Sequence, residues 1–173
     1  NIIDHGFLDL VRLGIKPADD EVMQNSVVEV DETIRVDVDD APGFYRYNGD
    51  GYGERGREDP GAPWSVEHKG KGRLWPLLTG ERGEYELGLD DPIIEPEVAL
   101  RAMEQFANSG RMLPEQVWDR EHETDYNWEF GQGTGGATPL AWAMAQYIRL
   151  AHSVSAGTPV ETPDFVHERY REQ

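Results

Sequence analysis

At 173 residues, with 38% hydrophobic residues, 10% aromatics and five Trp, the chain has a globular composition and the length for one domain with a sizeable core. A net charge of −18, with three Lys against 13 Arg, argues against nucleic acid or anionic membranes as partners. The absence of Cys excludes a disulfide framework and a thiolate metal site, and no stretch approaches the roughly 18 apolar residues of a membrane-spanning helix. A Lys-poor excess of acid also fits a surface adapted to high salt, which speaks to solubility and not to fold. No signal peptide is visible, and Asn1 in place of Met places the expected native start upstream.

Residues 4–13 read as a short helix: Asp4 can cap it, Phe7, Leu10 and Val11 share a face, and Gly14 ends it. After the turn at 16–19, Asp19 or Asp20 caps a second helix with Val22, Met23, Val27, Val30 and Ile34 on its apolar face. Its tail, where Val36 and Val38 alternate with Asp37 and Asp39, reads as a strand or an extended exit. From Ala41 to Pro63, six Gly and three Pro make the chain loop-like. Within that stretch Tyr45, Tyr47 and Tyr52 interleave with Arg46, Asn48 and Asp50. Such rings cover the C–H faces of a pyranose, while Arg and Asp make forked bonds to neighbouring hydroxyls. A tyrosine-rich surface loop packed on the core is the other reading of the same residues.

The basic patch 68–73 lacks the strand–glycine–helix context of a phosphate loop and reads as a mobile solvated loop. Pro76 suits the first turn of a helix that starts beside Trp75. Glu81 and Arg82 are adjacent, cannot face each other along that helix, and read as members of structural ion pairs. Pro96 opens the clearest helix, with Val98, Ala99, Ala102, Met103 and Phe106 on one face and Gly110 as its stop. Between Asp119 and Gly136 lies a long polar loop holding Trp128. Its Asp119, Glu121, His122, Glu123 and Asp125 lack the ligand rhythm of a hard-cation loop and read as solvated acids, so no metal is expected. Thr138 as cap and Pro139 start a last long helix, from Leu140 to about Ser155. Apolar residues surround it almost completely, so it should be buried among other helices. His152 and His167 read as core or surface histidines and not as ligands. Residues 157–173 read as a tail or exit strap. No solenoid-length repeat, GxSxG, HExxH or Walker pattern occurs, and no cofactor is expected.

Five or so helices joined by long loops give an all-α fold. The stretch with most chemistry is Arg111–Asp119, just past the expected helix stop. Pro114 fixes the backbone immediately before Glu115, and Trp118 follows three residues later. A carboxylate on a rigid turn beside an indole can present a general acid or base to a sugar. Among 34 Asp and Glu, a solvated loop carboxylate is the competing reading.

The run M-L-P-E-Q-V-W-D at 112–119 resembles the general-base motif of bacterial and archaeal glucoamylases and glucodextranases, glycoside hydrolase family fifteen. Residues 45–54 and 73–87 are similar to two further stretches of that family, and Gly133–Trp142 is similar to the segment after its base loop. Order and spacing agree over nearly the whole chain. The resemblance implies an (α/α)6 barrel with long active-site loops, of which residues 1–173 would be the C-terminal part of one catalytic domain. It implies exo-acting, inverting hydrolysis of α-glucosidic bonds, with an α-glucan oligosaccharide as substrate, β-glucose as product, and Glu115 as general base. Arg46, Asp50 and Tyr52 carry over from the family's R-Y-x-x-D-x-Y sugar-binding pattern. Tyr45, Tyr47, Trp75 and Trp118 are candidate rings beside the sugar. The family's general acid lies N-terminal to everything in this chain. Activity is therefore expected only with the N-terminal part of the domain, as a second polypeptide. An extracellular or periplasmic location follows from the same resemblance. A glucodextranase preferring α-1,6 bonds and a non-catalytic glycan-binding fragment are the alternatives.

Overall fold

The computed structural model describes residues 1–55, 61–121 and 124–170. A 3-10 turn at Gly6–Leu8 runs into the short helix α1, Asp9–Arg12. Asp4 Oδ1 accepts the Gly6 N–H at 2.7 Å, and Gly14, at φ +75°, ends the segment as expected. Of the two candidate caps for α2, Glu21–Ile34, it is Asp20 that accepts the Val22 and Met23 N–H groups. Met23, Val27, Val30 and Ile34 are buried at helical spacing, while Val22 is exposed.

The extended exit becomes strand β1, Arg35–Val38, paired antiparallel with β2, Ala41–Phe44, so that Arg35 stands opposite Phe44 and Val38 opposite Ala41. Residues 41–44 were expected to be loop. Pro42 is tolerated because a two-stranded ribbon consists of edges, and its carbonyl accepts the Thr79 hydroxyl at 2.9 Å. Gly43 is required by proximity, since a Cβ there would stand 2.8 Å from Leu74 Cδ1.

Helix α3, Pro76–Glu86, is the centre of the fold and is buried on nearly every side. Two glycines let its neighbours come close: a Cβ at Gly80 would lie 2.4 Å from Gln146 Cγ, and one at Gly83 2.9 Å from Ala99 Cβ. Those neighbours are α4, Pro96–Phe106, and α5, Ala141–Ala156. Arg82, fully buried in α3, forks onto Asp31 of α2 at 2.6 and 2.9 Å and reaches Glu86 at 2.6 Å. It is the structural ion-pair member read from the sequence, and Glu81 faces a different environment.

Helix α4 ends at Phe106, four residues before Gly110. Asn108 Oδ1 accepts the N–H groups of Gly110 and Met112, so a side-chain turn displaces the last helical turn. Thr138 does not cap α5, because the helix starts at Ala141 with Leu140 at the cap position and no side-chain cap. Nor is α5 buried all round. Ala143, Gln146, Leu150 and Ser153 face α3 and α4, whereas Trp142 and Ile148 are 61% and 59% exposed. The expected tail contains helix α6, Asp164–Tyr170. It follows Glu161, which joins Arg12 at 3.1 Å to Arg149 at 2.8 Å and so ties the strap to both α1 and α5.

Candidate active site

The loops leading into α3 and α5 meet at the N-terminal ends of those helices. Leu74 and Val117 exchange backbone hydrogen bonds at 3.3 and 2.8 Å, and Val117 also bridges to Gly133. On the other side Leu74 bridges to Tyr45, and the Trp75 N–H donates to Phe44 O at 2.9 Å. Four stretches without regular secondary structure are thereby cross-linked as in a sheet, which fixes their backbones.

Glu115 sits on this platform. Its N–H donates to Ala137 O at 2.8 Å, and its Oε2 accepts the Ala137 N–H at 3.2 Å, so one residue holds both its backbone and its carboxylate. The Tyr52 hydroxyl donates to the same oxygen at 3.5 Å. Burial, then the Glu115 charge, raise the Tyr52 pKa above its ordinary value and keep that hydroxyl a donor. A Cβ on Gly136 would lie 2.8 Å from Glu115 Oε2, so only glycine leaves the carboxylate its place.

Beyond Tyr52 the site becomes aromatic and cationic. The Tyr52 ring meets Trp64 edge-on at 5.4 Å and Trp75 at 6.4 Å. The Arg46 guanidinium lies 5.2 Å from the Tyr47 and Trp75 ring centroids and 5.5 Å from that of Tyr52. Arg46 forks onto Asp50 with two bonds of 2.9 Å, and Asp50 also accepts the Tyr52 N–H at 3.0 Å. Asp50 is buried, with its oxygens turned to its own loop, while Arg46 keeps an exposed side. The Asp50 bond raises the Arg46 pKa further, so the guanidinium stays charged. Next to it opens a cleft of about 430 Å³ lined by Arg46, Tyr47, Trp75, Trp142 and Glu81, with His5 and other residues of the N-terminal segment opposite.

Two residues singled out from the sequence lie elsewhere. Trp118 is 1% exposed, with the Arg73 guanidinium 4.2 Å from its ring centroid. The Tyr45 hydroxyl bonds to Asp119, which pairs with Arg73 at 3.0 Å. These side chains support the 112–119 loop from inside the protein. Arg73 is accordingly not part of a solvated loop, and Asp119 is buried, whereas Glu121 and Asp125 are exposed. His122 and Glu123 lie outside the described residues. The sequence reading missed Trp64, 40% exposed at the edge of Tyr52, because an isolated ring after Pro63 has no periodicity to mark it. It missed Ala137 because the bond to Glu115 is made by the backbone.

The chain is 44% identical over 169 residues to the glucoamylase of Clostridium sp. (strain G0005), an alignment that takes in 98% of this chain and 22% of that protein. The fold superposes with a TM-score of 0.84 on a bacterial glucoamylase solved in complex with acarbose, at 44% identity, over 98% of this chain and 23% of that one. The helical layers are thus part of an (α/α)6 barrel, the fold of that glucoamylase. In the Clostridium protein the equivalent stretch belongs to one longer polypeptide, so the comparison gives no support to a separate partner chain. A sequence profile described as glycosyl hydrolases family 15 matches residues 1–152, and with relatives this similar in sequence and in fold the chain belongs to that family.

Proposed function

We propose that residues 1–173 are the base-bearing, C-terminal part of a single catalytic domain that removes β-glucose from the non-reducing ends of α-glucans with inversion. The observation that carries this reading is the fixed yet reachable carboxylate of Glu115, held through Oε2 by Ala137 and Tyr52 beside the Arg46–aromatic cluster. Among the described residues no hydrogen bond engages Oε1, which is the oxygen left to take a proton from the attacking water. The general acid comes from the remainder of the domain and stands across the sugar at roughly 6.5–9.5 Å, the separation that leaves room for that water. Arg46 donates to sugar hydroxyls, Asp50 and the buried Trp75 hold Arg46 in place, and Tyr52 and Trp64 offer rings to the pyranose. The acarbose complex of the related bacterial glucoamylase supports a carbohydrate ligand.

Glu115→Gln in the complete enzyme is expected to lower turnover by a factor on the order of 10²–10⁴ while substrate still binds, the usual contribution of a general base. Near-normal turnover would remove Glu115 from the mechanism. Proton NMR of freshly released glucose is expected to show the β-anomer first; an initial α-anomer would contradict inversion.

A further inference from the structure

Glu54, in the loop before α3, is 4% exposed and has no part in the site as described so far. Its Oε1 accepts the Gly135 N–H at 3.0 Å, and its Oε2 has no partner among the described residues. A buried carboxylate with one donor costs stability, and such a group persists where its single bond serves something else. That bond ends two residues from Ala137, whose N–H and C=O hold the Glu115 carboxylate and backbone. The segment between consists of Gly135 and Gly136, which have no side chains to pin them and the largest conformational freedom to lose. On its near side the segment is anchored by the Thr134 N–H on Gln116 O at 3.0 Å.

We infer that Glu54 is a positioning residue: by fixing Gly135 it sets where Ala137 stands and so where the Glu115 carboxylate points. The inference rests on the reading of Glu115 as the base. Two carboxylates from distant loops thus grip one glycine segment at alternate N–H groups, Glu54 at residue 135 and Glu115 at residue 137. The charges of both bear on the Tyr52 hydroxyl, consistent with their lying on the same side of the site.

The test uses the complete enzyme and compares Glu54→Ala with Glu54→Gln. Both remove the charge, but only alanine removes the oxygen that accepts from Gly135. Glu54→Ala is expected to lower kcat by about tenfold or more with KM within about threefold, since a misplaced base slows chemistry without weakening binding. Glu54→Gln should restore kcat to within about threefold of the parent. Equal kcat in the two variants, or a rise in KM alone, would overturn the inference. Should Glu54→Ala fail to fold, Glu54→Asp takes its place: it keeps the charge but withdraws the oxygen, and an unchanged kcat there overturns the inference equally. Glu115→Gln measured alongside separates the two readings. Near-normal turnover in that variant removes the base assignment, whereas a large loss there with equal kcat in the Glu54 variants removes only the positioning role.

Discussion

At the scale of single residues, the glycine segment bounds the place of the Glu115 carboxylate. Gly136 does not adopt the left-handed conformations found at Gly131 and Gly157, so its backbone accepts a side chain without strain. What it lacks is space, because a Cβ would reach 2.8 Å from Glu115 Oε2 and 3.3 Å from Glu115 Cβ. The obstructed atom is the end of a flexible side chain, which moves before the fold does. Gly136→Ala is therefore expected to displace the carboxylate and lower kcat by roughly 10- to 100-fold, in line with the effect of ångström-scale misplacement. Thermal unfolding of the same variant should stay close to the parent. A variant with normal kcat would show that turnover does not depend on this placement of Glu115. The same principle separates Arg46 from Asp50, which the sequence presents as equals. One is partly open to the cleft and the other is turned inward to hold it.

At the scale of elements, α3 and the N-terminal turn enclose two ionisable groups whose effects on stability run in opposite directions with pH. Burial, reinforced by the nearby Arg82 charge, lowers the pKa of His5 to about 3. Below its unfolded value near 6.5, the unfolded chain binds a proton that the folded chain refuses, so this contribution is lost as pH falls from there towards 3. Burial, then the charge of Asp9, push Glu81 up to about 7. Between its unfolded value of 4.5 and about 7 the folded chain keeps a proton that the unfolded chain has released, so stability declines as pH rises through that window. In urea titrations of the complete enzyme, the stability of His5→Phe relative to the parent should improve as pH falls from 7 to 4. That of Glu81→Gln should improve as pH rises from 4 to 8. Differences independent of pH would show that neither group keeps its shifted pKa in the whole protein.

The helices with one apolar stripe, α2 and α4, were legible because burial at i, i+3 and i+4 leaves a pattern in the residues themselves. The hairpin was half legible. Val36 and Val38 alternate, but Pro42 and Gly43 read as loop until Leu74 and Thr79 are seen packed on them. The end of α4 was misread because Asn108 competes for N–H groups that Gly110 seemed positioned to release. In the site, Glu115 and Arg46 could be found from residue type and resemblance. The backbone of Ala137, the support from Arg73 and the anchor at Glu54 depend on contacts between distant loops, which no local pattern encodes.

At the scale of the whole molecule, the chain corresponds to 22% of the curated glucoamylase it matches, and α5 exposes large apolar side chains. Helix α5 turns Ala143, Gln146, Leu150 and Ser153 to α3 and α4, yet presents Trp142 and Ile148 outward. Isolated surface apolar residues are ordinary, but Ile148 stands on the side of α5 opposite the residues that pack on α3 and α4, which fits a helix that packs on both sides. We therefore propose that the remainder of the barrel covers this face, and that the isolated chain does not hydrolyse maltose because the general acid lies in that remainder. Ile148 is the cleaner probe, since six residues place it about 120° around the helix from Trp142, which lines the cleft. If the face is covered, Ile148→Ala in the complete enzyme should cost about 2–5 kcal/mol in unfolding free energy, as for other buried large-to-small substitutions. If the face stays open to water, the change should remain within about 0.5 kcal/mol. The two ranges do not overlap, so a single pair of denaturation curves decides between them. A value in the lower range, together with an isolated 173-residue chain that melts cooperatively and cleaves maltose, would show that the fragment is sufficient by itself.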